Sequence, residues 1–138
     1  RTQNDLPVFL AGISRGAVSV GKFISQYGKE VDGAVLFSGI YYSTEITKRN
    51  AYSMQEVIGS SVPTNVLVVH HEEDCCKVCD PSSARQFYEE LKIKNKALNI
   101  VSGGGSSGSC HGPFHHHGFE GVEKIVVEGV VSWITSKK

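Results

Sequence analysis

Gly12-Ile13-Ser14-Arg15-Gly16 follows the apolar run Pro7-Val8-Phe9-Leu10-Ala11 and precedes a helical pattern that begins at Ala17. This is the G-x-S-x-G nucleophile-elbow pattern in a strand-turn-helix setting, and it makes Ser14 a candidate enzyme nucleophile. The spacing has a steric reason. A sharp turn holds the serine in an unfavourable backbone conformation, and a side chain at position 12 or 16 is expected to collide across that turn. A strand-to-helix turn with a capping serine fits the same five residues, so the decision rests on the rest of the chain.

Beyond the elbow, Val18, Val20, Phe23, Ile24 and Tyr27 form a helical stripe that stops near Gly28. Val31-Asp32-Gly33-Ala34-Val35-Leu36-Phe37-Ser38 is a near-continuous apolar run, as expected of a parallel strand covered on both faces. Residues 41–61 are more polar, with a weak helical pattern around Met54, Val57 and Ile58 closed by Gly59 and Pro63. Val66-Leu67-Val68-Val69-His70-His71 is a third strand, and Pro81 opens a helix lined by Ala84, Phe87, Tyr88 and Leu91. Leu98-Asn99-Ile100-Val101 is a fourth, short strand, followed by a Gly-, Ser- and His-rich loop at 102–117. Val122, Ile125, Val126, Val130, Trp133 and Ile134 mark the last helix, ended by Lys137 and Lys138. The alternation predicts an α/β protein: an open parallel sheet with helices on both faces, with ligands bound at the carboxyl ends of the strands. Ser14 and the loops 72–80 and 102–117 all fall at those ends.

The 138 residues are 40% hydrophobic and 20% charged, which suits one globular domain spanning 1–138. Fourteen basic residues against fourteen acidic ones, with no basic run, give no footprint for a nucleic-acid partner. No apolar run approaches the ~20 residues of a membrane span, and Arg1-Thr2-Gln3-Asn4-Asp5 has no signal-peptide pattern. The four cysteines, Cys75, Cys76, Cys79 and Cys110, admit disulfides, a metal site or a redox pair. An even count placed in loops favours disulfides in an oxidising setting, periplasmic or extracellular.

Acyl transfer from a serine needs a base to take its proton and a carboxylate to orient that base. Asp74 follows the third strand and His117 follows the fourth, so the three residue types occur in the order Ser, Asp, His. Asp80, Glu72 and Glu73 compete for the acid position, and His116 competes with His117. For His70, His71, His111 and His115 the bland expectation is a surface or strand-end histidine.

With these residues in place the sequence resembles the α/β-hydrolase superfamily over residues 7 to 133, most closely small hydrolases with His-His-x-x-Asp-x-Cys at the acid and Cys followed by His-Gly-Phe at the base. Those stretches stand here as His70-His71-Glu72-Glu73-Asp74-Cys75-Cys76 and as Cys110 through His117-Gly118-Phe119. The resemblance implies Ser14 as nucleophile, His117 as general base and later acid, and Asp74 as the group fixing the imidazole tautomer. It also implies that the Arg15 backbone N–H belongs to the oxyanion hole. It suggests a Cys76–Cys110 disulfide joining the acid and histidine loops, with Cys75 and Cys79 either paired or free. Cys76-Lys77-Val78-Cys79 matches C-x-x-C without other thioredoxin-like features. A zinc site built from the cysteines and histidines lacks the spacing of a standard finger.

The chain departs from the family in having no strands before the elbow and no loop to donate the second oxyanion-hole N–H. The strand at 7–11 is therefore expected to be buried on both faces yet to have one unpaired edge. The expectation is the C-terminal portion of a larger domain, a second chain supplying the strands, or self-association. With one donor in place of two, the chain alone is expected to lose ~10²–10³ in rate. The reading is a serine hydrolase acting on a carboxylic ester or related acyl bond of a small-molecule substrate, with no cofactor. The alternatives are a peptidase of the same superfamily, a non-catalytic hydrolase-like binding domain, and a Cys/His metal-binding domain. Tyr41, Tyr42 and Tyr52 either line an acyl pocket or pack.

Overall fold

The computed structural model describes residues 5–44, 52–59 and 62–137. Four parallel strands, β1 (Phe9–Ile13), β2 (Gly33–Phe37), β3 (Asn65–His71) and β4 (Lys96–Val101), lie side by side in chain order. The helices are α1 (Arg15–Tyr27), the short α2 (Met54–Val57), α3 (Pro81–Glu90) and α4 (Glu123–Thr135). None is long and apolar enough to cross a membrane. Of the polar stretch 41–61, residues 45–51, 60 and 61 lie outside the described residues, as do Arg1-Thr2-Gln3-Asn4 and Lys138.

Strand order dictates the layering. Right-handed crossovers that step repeatedly to the next strand on the same side place their helices on one face of the sheet. Accordingly α1, α2 and α3 share a core with one set of strand residues: Ala17, Ile24, Met54, Ala84 and Phe87 pack with Ala34, Leu36, Val66 and Val68. The alternate residues Val35, Leu67 and Val69 face the other way and are covered by Phe119, Val122, Val126 and Trp133 from α4 and its approach. The strict period of two along β2 and β3 is what allows both faces to be apolar. At the sheet's rim Phe9 meets Trp133 edge to face, with ring centroids 5.7 Å apart.

Helix starts follow local chemistry. Asp80 caps α3 by accepting the Ser82 N–H at 2.8 Å, and Pro81 occupies the first turn, where its missing N–H costs nothing. Ser53 and Glu56 form a reciprocal capping box on α2.

Three expectations are corrected. The first strand begins at Phe9 and runs through Ile13; as an edge strand it is only partly covered, with Val8 and Ile13 exposed, and is not buried on both faces. Helix α1 starts at Arg15, and its inward face is Ala17, Val18, Gly21 and Ile24, while Phe23 and Tyr27 point outward and pack on each other. Small residues win the inward face because the helix lies close against its neighbours: a Cβ on Gly21 would come 2.1 Å from the Met54 sulfur. Ile125 likewise faces outward from α4.

Candidate active site

Ser14 joins β1 to α1 with φ 56° and ψ −117°, a left-handed conformation that costs a non-glycine residue ~1–3 kcal/mol. Two bonds hold it: its N–H donates to the Phe37 carbonyl at 2.8 Å, and its own carbonyl accepts from Ala17 at 3.1 Å. The turn is tight because Gly12 permits it; a Cβ there would stand 2.3 Å from the Gly16 carbonyl oxygen. Gly16 differs from expectation, since a Cβ on it meets nothing within 4 Å. The collision across the turn is one-sided. Arg15 is the first residue of α1, so its N–H is one of the helix-start donors with no intrahelical acceptor.

The loop after β3 carries Asp74, and the short helical turn His116–Gly118 carries His117. Both side chains are buried, and His117 Nδ1 lies 2.8 Å from Asp74 Oδ2. A carboxylate can only accept, so Nδ1 carries the proton and Nε2 keeps its lone pair. The other carboxylate oxygen accepts the Cys76 N–H at 2.9 Å. Burial pushes the Asp74 carboxyl up, but hydrogen bonds from His117, His70 and Cys76 outweigh it and hold the group at about 2. Asp80 is spent as the α3 cap, and Glu72 and Glu73 are exposed. His116 stacks on His71 with ring centroids 4.3 Å apart and does not reach Asp74.

Two supporting residues escaped the sequence reading. His70 is fully buried, its Nε2 shared between the Cys79 carbonyl at 2.7 Å and Asp74 Oδ2 at 3.2 Å. Because both partners only accept, Nε2 is the donor. Ser38, buried and with φ 45°, donates its hydroxyl to the His117 carbonyl at 2.7 Å. His71 is buried as well, accepting from the Glu73 N–H and donating to the Gly103 carbonyl. His70 and His71 are strand-end histidines, as expected, but interior ones. The only signal in the sequence was their position at the carboxyl end of an apolar strand.

Among the described residues, the Ser14 hydroxyl has its hydrogen-bond contact with the Cys79 sulfur, at 3.9 Å, and not with His117. The sulfurs of Cys76 and Cys79 and a ring nitrogen of His117 lie within 4.8 Å of one another, so serine, thiols and imidazole form one cluster. Burial, with Cys76 alongside, pushes the Cys79 thiol up.

The disulfide is Cys75–Cys110, with Cα atoms 5.2 Å apart, and not the suggested Cys76–Cys110; Cys76 and Cys79 are free and buried. The Asp74 carboxylate bonds the Cys76 N–H and turns that side chain inward against Val18 and Ile40, which leaves Cys75 on the outer side facing Cys110. The bridge still joins the loops that carry Asp74 and His117.

A cleft of about 530 Å³ opens between α1 and α2, lined by Val18, Ser19, Lys22, Tyr52, Glu56 and Val57. Val18 and Val57 also pack in the cluster containing Cys76 and Cys79, so the cleft adjoins the site. Tyr41 packs, fully buried and stacked on Phe87, and Tyr42 donates its hydroxyl to Glu90 at 2.6 Å.

A parallel sheet in chain order with helices on both faces, and the loops of Ser14, Asp74 and His117 at the carboxyl ends of its strands, give this chain the α/β-hydrolase fold. Solved structures agree. The monoacylglycerol lipase of Paleococcus ferrophilus superposes with TM-score 0.71 at 15% identity, over 96% of this chain and 69% of that one. Est1E of Butyrivibrio proteoclasticus gives 0.69 at 15% identity, over 99% and 64%. The monoglyceride lipase of Saccharomyces cerevisiae gives 0.66 at 12% identity, over 96% and 66%. The chain thus spans about two thirds of the length of these structures. No family model and no curated protein matches it by sequence.

Proposed function

We propose that the protein is a serine hydrolase cleaving a carboxylic ester or related acyl bond through an acyl-enzyme. The observation that carries this reading is the buried 2.8 Å contact between His117 Nδ1 and Asp74, which leaves the Nε2 lone pair unused at the same end of the sheet as a serine held at positive φ. In the proposed reaction Ser14 Oγ attacks the acyl carbonyl as His117 Nε2 takes its proton. Asp74 stabilises the resulting imidazolium, and the Arg15 N–H faces the developing oxyanion. His117 returns the proton to the leaving alcohol, and water then repeats the sequence to release the acid.

The neighbours named as lipases agree with this chemistry, and the cleft beside Val18 is of a size to take an acyl chain. A second oxyanion N–H is proposed to come from a preceding segment or from another chain, which would pair the edge of β1 that has no neighbouring strand among the described residues. One observation favours the competing reading of a non-catalytic binding domain: Ser14 rests against Cys79 and must leave it to reach the imidazole. Pre-steady-state hydrolysis of a chromogenic short-chain ester separates the two. A burst of one alcohol per protein, abolished in Ser14→Ala, supports the hydrolase; turnover equal in both proteins rules it out.

A further inference from the structure

The buried thiols beside Ser14 have no part in the proposed reaction. Cys76 and Cys79 are free, neither is a surface residue, and their sulfurs stand within 4.8 Å of each other and of a ring nitrogen of His117. A turn closed by the Cys79 N–H on the Cys76 carbonyl at 3.0 Å brings the two together. The third group is already prepared as a ligand. With Nδ1 bonded to Asp74, His117 offers Nε2, and a carboxylate on the far nitrogen of a histidine is the usual support of a metal-bound imidazole. Two sulfurs and one imidazole form a donor set that suits zinc and rejects magnesium or calcium, and His111, whose Nδ1 stands 3.3 Å from the Cys76 sulfur, is at hand beside them.

We infer that Cys76, Cys79 and His117 form a binding site for a thiophilic divalent cation such as Zn²⁺, and that the bound ion switches Ser14 off. On binding, each thiol releases its proton to solvent, so two thiolates neutralise the divalent charge in the buried site. Inhibition follows from shared atoms. The ion takes the Nε2 lone pair that would accept the serine proton, and it sits next to Ser14 Oγ, which is 3.9 Å from the Cys79 sulfur. The metal site rests on these contacts alone; its inhibitory effect rests on the hydrolase reading.

The test titrates the full protein with Co²⁺ in anaerobic buffer free of thiol reductant, which preserves the Cys75–Cys110 bridge. Fluorophosphonate labelling is followed in parallel with and without Zn²⁺. The expected result is one Co²⁺ per chain with a thiolate-to-metal charge-transfer band. That band should weaken ~10–100-fold or more in apparent affinity in each of Cys76→Ser, Cys79→Ser and His117→Gln. Zn²⁺ should block labelling and a chelator restore it in the unaltered protein, a comparison that needs no variant to fold. Co²⁺ bound without a thiolate band would place the ion elsewhere, at His71, Glu73 and His116, and overturn the proposal. A thiolate band with labelling unchanged by Zn²⁺ overturns the switch. A thiolate band in a protein that never labels supports the metal site while the hydrolase reading fails.

Discussion

Asp74 is held down to about 2 by three donors despite its burial, so its ionisation is tied to folding. The folded value lies below the ordinary 3.8, so the carboxylate adds stability that is fully present above that value and is lost as pH falls through it toward 2. The difference is worth about 2 kcal/mol by linkage. Urea midpoints should show Asp74→Asn less stable than the natural chain at neutral pH, with the gap closing between roughly pH 5 and pH 2. The elbow glycines offer a paired prediction. Gly12→Ala forces a methyl against the Gly16 carbonyl and should lower stability by at least ~1–3 kcal/mol, whereas Gly16→Ala has room and should shift the midpoint little.

At the scale of elements, the loops after β3 and β4 are tied by Cys75–Cys110, separated by 35 residues, a closure worth about 4 kcal/mol in the chain-entropy model. Peptide mapping without reduction should recover that pair. Cys75→Ser should then lower thermal stability by more than Cys76→Ser does, which leaves the bridge intact. Spacing alone could not choose between the neighbouring cysteines, because which one faces out depends on a single turn made by the Asp74 carboxylate and the Cys76 N–H. The two central strands, β2 and β3, were readable from their apolar runs, since burial on both faces leaves few other solutions. The outward turn of Phe23 and Tyr27 was not, because helical periodicity does not say whether bulky or small residues take the close face.

Across the whole molecule, the order of strands and the handedness of crossovers place Ser14, Asp74 and His117 at one end of the sheet. That much was legible from the order of Ser, Asp and His along the chain. The supports were not: Ser38 holds the His117 backbone from 79 residues away, and His70 reaches Asp74 only because the loop folds back on its own strand. Such contacts between short polar groups leave no periodic trace. The account as a whole turns on the serine. The most direct measurement is fluorophosphonate labelling of the full-length, metal-free protein, with the adduct located by mass spectrometry in the natural chain and in Ser14→Ala, His117→Ala, His116→Ala and Asp74→Asn. The account predicts one adduct on the peptide carrying Ser14, absent in Ser14→Ala. The labelling rate should fall steeply in His117→Ala and by as much as ~10⁴ in Asp74→Asn, and stay near that of the natural chain in His116→Ala. An adduct on another serine, or none on the folded protein, would contradict it.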